Sequence, residues 1–440
     1  MNVPGSFALN EARRDGRIEI KAMNLHRLVD GQAVTTALAE AGLRRATSVP
    51  LEPCRAWPFR RTGLSVLYRD PIRTGLTSAW SVHASPDGPP LRLAPRKLGG
   101  GAMLVPDLGA VALRFPFDVH VPQLKDMLQP DIAIEKLAPW MENGSPRELQ
   151  LQTELVRYKP LRRCVVEYRT KARSGEMQTL FAKAQRRKNA HASRCHYAAF
   201  HNRSPGTAGF SIAQPAGWLE EWHALVFRRS TGRLLTEVLL EPGGESASAA
   251  AGRALAAFHD SEVSLPNTHG TQRELETLQM WVDLTSAAFP VAADLLFSAT
   301  RALGETRILE REEALRPAHR DFHDQQIVVD GDRVAFLDLD TVCYAERELD
   351  AGNYLAHLRL LENEIAGESV ADKRDAFLRG YNARERRLDS RRLAWYEASA
   401  SVRLACVYAF RPGWRSMCVE LVRDAYVLLD SCTTKQSLQC

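Results

Sequence analysis

The chain has little net charge, no paired-cysteine motif and no long apolar run, and each absence removes a class of function. Its 58 basic residues nearly cancel its 53 acidic ones and leave a formal charge of +5. That is far from the footprint of a nucleic-acid binder, although it suits an anionic ligand. Eight cysteines (Cys54, Cys164, Cys195, Cys343, Cys406, Cys418, Cys432 and Cys440) form no C-x-x-C pair. Their spacing excludes the familiar zinc frameworks and fits isolated thiols in a reducing cytosol. No apolar stretch approaches the roughly 20 residues of a membrane span. The opening residues, Met1 to Gly5, lack the basic-then-apolar order of a secretory signal. The expectation is a cytoplasmic protein with neither a nucleic-acid nor a membrane partner. The one short basic run, Arg186-Arg187-Lys188, reads as a solvated face.

What is there is a long chain with ordinary core material. At 440 residues and 45% apolar content it suits two or three domains. Residues 1 to about 115 read as a β-rich unit. Leu64–Tyr68, Trp80–His83, Ala102–Val105 and Ala110–Leu113 are its strands, Asp87-Gly88-Pro89-Pro90 and Gly99-Gly100-Gly101 its turns, and a helix is expected near 33–43. Residues 122–137 read as helical. Strands are then predicted over 151–158, 164–169 and 179–184, the last after a Ser174-Gly175 turn. A helix over 189–200 and a strand over 223–227 follow. Beyond that the chain turns helical, as in 249–258 and in the stripe Leu393, Tyr396, Ala400, Leu404 and Val407, which Pro412 would end. Sheet-rich sequence followed by helix-rich sequence indicates two lobes with a ligand cleft between them. The expected domains are 1–115, 116–227 and 228–440.

Chemistry concentrates in His319-Arg320-Asp321-Phe322-His323-Asp324-Gln325-Gln326 and in Phe336-Leu337-Asp338-Leu339-Asp340. Phosphoryl transfer from ATP needs one carboxylate to orient the attacking hydroxyl. It also needs an amide oxygen and a second carboxylate for magnesium. Asp321, in a loop before an apolar strand, suits the first role; Gln326 and Asp338 suit the second. Asp340 suits either a further ligand or a support behind the metal site, and it joins Asp338 on one side only if the strand continues that far. Taken alone, Asp321 is as good a turn former and Gln326 as good a backbone partner; the ordered combination is what points to chemistry. Upstream, Lys183 interrupts the apolar run Leu180-Phe181-Ala182 and would bind phosphates as a point charge if it faces the cleft. The cationic tip Arg157 to Arg163 would cover phosphates with side chains, since it holds no glycine.

These residues resemble the aminoglycoside phosphotransferase and choline kinase family over roughly residues 120–430. His319-Arg320-Asp321 through Gln326 resembles its catalytic loop, usually His-Gly-Asp with an Asn five residues after the Asp. Asp338-Leu339-Asp340 resembles its metal motif, and Glu348-Leu349-Asp350 the segment whose Asp buttresses the loop. The resemblance implies an α+β, bilobal protein-kinase-like fold preceded by a β-rich extension similar in position to the cap of maltokinase-like members. It implies Asp321 as catalytic base with His319 and Asp350 in support. Gln326, Asp338 and Asp340 would be the Mg2+ site, and Lys183 and Arg163 would meet the ATP phosphates. Val226 and Phe227 would form the hinge against adenine. The chain departs from the pattern in three places. Gln326 replaces Asn, the phosphate loop lacks glycine, and the helix after Lys183 carries no acid to pair with it, which leaves another acid such as Glu220 or Glu221 for that task, or a lysine held differently.

Rival readings fit less. Phe336 to Val342 also fits the Asp-x-Asp-x-Val motif of a haloacid-dehalogenase-type phosphatase, but the mostly helical sequence after it does not suit that fold, and Asp321 and Lys183 would go unused. A protein kinase would carry Phe-Gly after Asp338. A degenerate, binding-only kinase fold is the third alternative. The expected acceptor is a small polar molecule bearing a hydroxyl, a sugar or sugar-like alcohol ahead of an aminoglycoside or amino alcohol. Arg379, Arg384, Arg386, Arg387, Arg391 and Arg392 lean against a cationic one. His323 serves equally as a substrate contact or a loop filler. His259 reads as a helix-end or core residue, and Trp395 and Tyr396 as packing.

Overall fold

The computed structural model describes residues 25–434 except 45–48, 60–61, 74–77, 86–87, 91–100, 142–149, 172–174, 202–208, 307–313, 365–369, 384–386, 412 and 414. Met1 to Gly5, Asp87, Gly99, Gly100, Ser174, Arg384, Arg386 and Pro412 therefore lie outside the described residues. The chain forms two compact units. One is drawn from 1–125, 276–301 and 402–422, the other from 126–275, 302–401 and 423–440. Among the described residues no helix is long and apolar enough to cross a membrane.

The first unit is built on an antiparallel sheet of β1 (Glu52–Phe59), β2 (Gly63–Arg69), β3 (Trp80–Ala84), β4 (Ala102–Val105) and β5 (Ala110–Arg114), in the order β1-β2-β3-β5-β4. Four of these strands follow the apolar runs of the sequence. β1 was hidden by Pro53 and Pro58, and its place at the sheet edge is what tolerates them, since a proline offers no N–H to a second neighbour. Asp30 caps the helix Gly31–Glu40 by accepting from the Gln32 and Ala33 amides at 2.9 and 3.2 Å. The core of this unit joins Leu38, Val66, Tyr68 and Val82 to Leu284, Ala288 and Phe410 from much later in the chain.

The second unit has the small-sheet and large-helix division of a bilobal α+β fold. Its first lobe is an antiparallel sheet of β6 (Gln152–Lys159), β7 (Arg163–Lys171) and β8 (Met177–Gln185), then, past the two-residue β9 (Ser211–Ile212), β10 (Pro215–Leu219) and β11 (Ala224–Arg228). The order is β10-β11-β8-β7-β6, flanked by the helix Arg187–His201. The predicted 122–137 helix is two, Leu124–Met127 and Pro130–Leu137. Pro130 lacks the N–H a continuous helix would need and starts the second one instead.

The helical lobe carries two small sheets. One orders β12 (Arg233–Leu234), β15 and β16 against β9. The other orders β13 (Thr268–His269), β17 and β14 (Arg316–Ala318), where β15 is Ile327–Asp330, β16 is Arg333–Phe336 and β17 is Cys343–Ala345. Phe258, Phe322 and Phe336 pack edge to face beneath the loop that holds Asp321, with centroids 5.2 to 5.5 Å apart. Helices Gly244–His259 and Ala371–Tyr381 meet through glycine on both sides. A Cβ on Gly252 would lie 2.2 Å from Phe377 O, and one on Gly380 would lie 2.1 Å from Ala249 O. Gly380→Ala is therefore expected to cost about 1–3 kcal/mol by overpacking. Urea unfolding measures it, and an unchanged midpoint would mean the helices part freely.

Candidate active site

A buried carboxylate at the start of the helix Arg347–Glu364 organises the loop around Asp321. Asp350 is fully buried and accepts the main-chain N–H of His319 and of Arg320, each at 2.6 Å, while His259 Nε2 lies 3.1 Å from it. One helical turn on, Asn353 donates to Phe322 O at 2.8 Å. The residues on both sides of Asp321 are thus pinned by the same helix, and Asp321 itself stays half-buried. Arg320 sits at φ +68°, the left-handed region where a side chain is strained by roughly 1–2 kcal/mol. That is the position usually held by glycine in the catalytic loop this segment resembles, and the Asp350 bonds hold it there. Asp350→Ala would leave two buried N–H groups without an acceptor, at about 1–3 kcal/mol each. A loss of that order in urea unfolding is expected; no loss would mean that water replaces the carboxylate. His259 is the core histidine expected from sequence, its other ring nitrogen 2.7 Å from the Tyr381 hydroxyl.

His319 Nε2 lies 2.7 Å from Leu337 O and so carries the ring proton, tying this loop to the Asp-x-Asp segment. There the structure corrects the strand argument. β16 ends at Phe336, Asp338 adopts φ +55°, and a 3-10 turn runs from Leu339 to Thr341. A left-handed residue followed by a tight turn, rather than strand alternation, brings the two carboxylates together.

Both carboxylates meet cations from the first lobe. Lys183 Nζ donates to Asp338 Oδ1 at 2.7 Å and to Asp340 Oδ1 at 2.6 Å. Arg163 forks across the same pair, Nη1 to Asp338 Oδ1 at 3.0 Å and to Asp340 Oδ2 at 2.6 Å, Nη2 to Asp338 Oδ2 at 2.9 Å. Burial alone would raise the Asp338 carboxyl, but Lys183 and Arg163 outweigh it and hold it well below the usual range. Burial likewise works against the Lys183 ammonium, and the two aspartates hold it above its ordinary value. At the hairpin tip, Leu161 takes the left-handed turn position at φ +61°. Nearby, burial and then Arg162 and Arg163 push the Lys159 ammonium down to about 7, against the pull of Asp321 and Asp338.

Four polar side chains around this pair carry no fixed charge and were missed in the sequence. Gln185 and Ser193 bond Asp340, His196 Nδ1 lies 3.0 Å from Leu339 O, and the Tyr197 hydroxyl accepts from Leu339 N at 3.4 Å. Spacing along the helix Arg187–His201 was the available signal, since Ser193, His196 and Tyr197 share one face. Glu220 and Glu221 do not pair with Lys183. Glu220 accepts from the Trp218 indole at 2.6 Å, and Glu221 meets Lys136 at 2.8 Å. The Arg186-Arg187-Lys188 run is exposed, as expected.

A cleft of about 600 Å³ opens between the sheet and the helical lobe, lined by Phe181, Lys183, Phe227, Gln326, Leu337 and Asp338 among others. Val226 is fully buried and pairs with Ala182 on one side and Gly217 on the other, so its backbone is committed to the sheet. Arg228, Arg229 and Ser230, just beyond, line the cleft instead. His323 is buried and stacks on His357, with centroids 4.3 Å apart. Trp395 is buried and donates to Leu303 O at 3.0 Å, a packing role. Arg392, from the supposed basic stretch, is buried against Glu346 at 2.6 Å, so that stretch is less cationic than its sequence suggests.

A family model described as the phosphotransferase enzyme family (APH) matches residues 183–396. That span contains Lys183, Asp321, Gln326, Asp338, Asp340 and Asp350. Solved structures to which the chain is similar include a choline/ethanolamine kinase family protein from Mesorhizobium loti, 14% identical with a TM-score of 0.44 over 60% of this chain and 87% of that one. Another is a macrolide 2'-phosphotransferase from Brachybacterium faecium, 13% identical with a TM-score of 0.43 over 66% and 98%. A third, an amicoumacin kinase in complex with AMP-PNP and Ca2+, is 14% identical with a TM-score of 0.46 over 70% and 96%. No curated protein sequence matches the chain. The family match over residues 183–396 is to phosphotransferases as a class.

Proposed function

We propose that this protein is an ATP- and Mg2+-dependent kinase that phosphorylates a hydroxyl of a small polar molecule, with sugars and sugar-like alcohols first in line. The observation that carries the reading is the single cleft holding Lys183, Asp338 and Gln326, below which Asp350 and Asn353 fix the backbone around Asp321. The match of residues 183–396 to a phosphotransferase family supports the reaction class.

In this reading Lys183 and Arg163 bind phosphate oxygens, and Phe227 with the chain just after it receives the base. Asp338 and Gln326 offer the hard oxygen donors that magnesium prefers, one carboxylate and one amide, so the residues fit that ion. When bound there, it supplies charge neutralisation on the phosphates. Asp321 accepts a hydrogen bond from the acceptor hydroxyl at its carboxylate and aligns it for in-line attack. An ordinary carboxylate suffices, because a loose transition state depends more on orientation than on deprotonation. Incubation with γ-labelled ATP and a panel of polyols, sugars, aminoglycosides and amino alcohols tests the reading. Label transfer to a hydroxyl compound is the expected result, and a wild type that neither binds nor consumes ATP would overturn it.

A further inference from the structure

We propose that Asp340 is the anchor of Lys183, a positioning residue that holds the phosphate-binding ammonium from the Asp-x-Asp turn in place of an acid on the following helix. The inference rests on the kinase reading above and assigns Asp340 a task other than metal binding.

The helix after β8 carries no acid, and the bonds around Asp340 show where the counter-charge comes from. Strand alternation puts Lys183 and Gln185 on one face of β8. Arg163 stands directly across from Gln185 on β7, so the same face presents all three. Asp340 meets them together. Oδ1 accepts from Lys183 at 2.6 Å, Gln185 at 3.0 Å and Ser193 at 2.7 Å, while Oδ2 accepts from Arg163 at 2.6 Å and Gln185 at 3.1 Å. A carboxylate has about four lone-pair sites, and five bonds from four side chains fill them. To ligate a cation Asp340 would have to leave donors on β7, β8 and the helix together.

Asp338 differs in kind. Among the described residues its side-chain partners are the two cations alone, and those same cations have a second carboxylate to rest on when Asp338 turns to a metal ion. The helix Arg187–His201, which in this arrangement lends a hydroxyl rather than an acid, clamps the carboxylate that does the pairing. Lys183 is thereby placed by the turn that also carries Asp338, so the phosphate contact and the metal donor move as one piece.

The test separates an anchor from a ligand with Mn2+ as a paramagnetic probe. Mn2+ is titrated into protein with ATP and read by electron paramagnetic resonance, and ATP binding is measured separately in EDTA by fluorescent-nucleotide displacement. Asp340→Asn is expected to keep Mn2+ affinity within about twofold of wild type, while Asp338→Asn loses about tenfold or more. In EDTA, Asp340→Asn and Lys183→Ala each weaken ATP binding, and the double variant is no weaker than Lys183→Ala, because an anchor has nothing to hold once the lysine is gone. Ser193→Ala, which keeps the charge and loosens its seat, should weaken ATP by about twofold to threefold with Mn2+ unaffected; it serves if Asp340→Asn fails to fold. A tenfold fall in Mn2+ affinity in Asp340→Asn, multiplicative losses in the double variant, or tighter ATP binding on removal of the charge would each overturn the proposal. A wild type that binds neither Mn2+ nor ATP would instead overturn the kinase reading.

Discussion

Asp321→Asn is expected to lower the rate of phosphoryl transfer by roughly 10²–10⁴-fold, the range associated with a positioned acid or base. That is about 3–5 kcal/mol of transition-state stabilisation. The amide keeps the shape of the side chain but brings an N–H where the hydroxyl proton must be received. ATP affinity should stay within about twofold, since a residue acting on the acceptor alone changes turnover without changing nucleotide binding. Nor should folding suffer. The loop geometry is set by Asp350 on His319 and Arg320 and by Asn353 on Phe322, none of which Asp321 supplies. Single-turnover kinetics with the acceptor found in the screen gives the rate, and nucleotide displacement gives the affinity. An equal loss of both would reassign Asp321 to the nucleotide.

The second large effect concerns Asp338. With ligand at about 100 times its dissociation constant, Mg-ATP should stabilise the wild type by roughly 2.7 kcal/mol. Over a unit of this size that is a rise in melting temperature of several degrees. In Asp338→Asn the magnesium-dependent part of that rise should vanish. The metal-free variant should also melt lower than the metal-free wild type, because buried Lys183 and half-buried Arg163 lose one of their two carboxylates. The difference between the two conditions, not the absolute melting point, isolates the metal site. A wild type that does not respond to Mg-ATP would favour the binding-only alternative, with Gln326 in place of Asn as the first residue to examine.

The parts legible in sequence were those whose signal is local. The loop 319–326 and the run 336–340 declare themselves by spacing, and most strands follow from apolar runs bounded by turns. What lay hidden required knowledge of distant neighbours. Asp338 and Asp340 converge because one of them adopts a left-handed conformation, which no period in the sequence announces. The partners of Lys183 lie more than 150 positions away, whereas the first acids that follow it in the chain are Glu220 and Glu221. Ser193 and Gln185 are neutral and common, so nothing marks them until the fold brings them to a carboxylate. β1 was concealed by two prolines that only an edge position excuses. The apolar stripe from Leu393 to Val407 revealed a helix, but nothing in it announced the core of the first unit, where Leu284, Ala288 and Phe410 lie beside strands from early in the chain.

The central position of β8 has a consequence for how this protein can vary. It pairs along its length with β7 on one side and over Leu180–Ala184 with β11 on the other. A one-residue insertion within it would turn Lys183 away from Asp338 and Asp340 and carry Gln185 with it, since a slip of one exchanges the two faces of a strand. The same insertion beside Gly175, in the connection leading into the strand, leaves that pairing untouched. Length changes accumulated over evolution should therefore collect before Met177 and be absent between there and Gln185. Deep insertion scanning would show this as a sharp boundary between two neighbouring stretches of the gene.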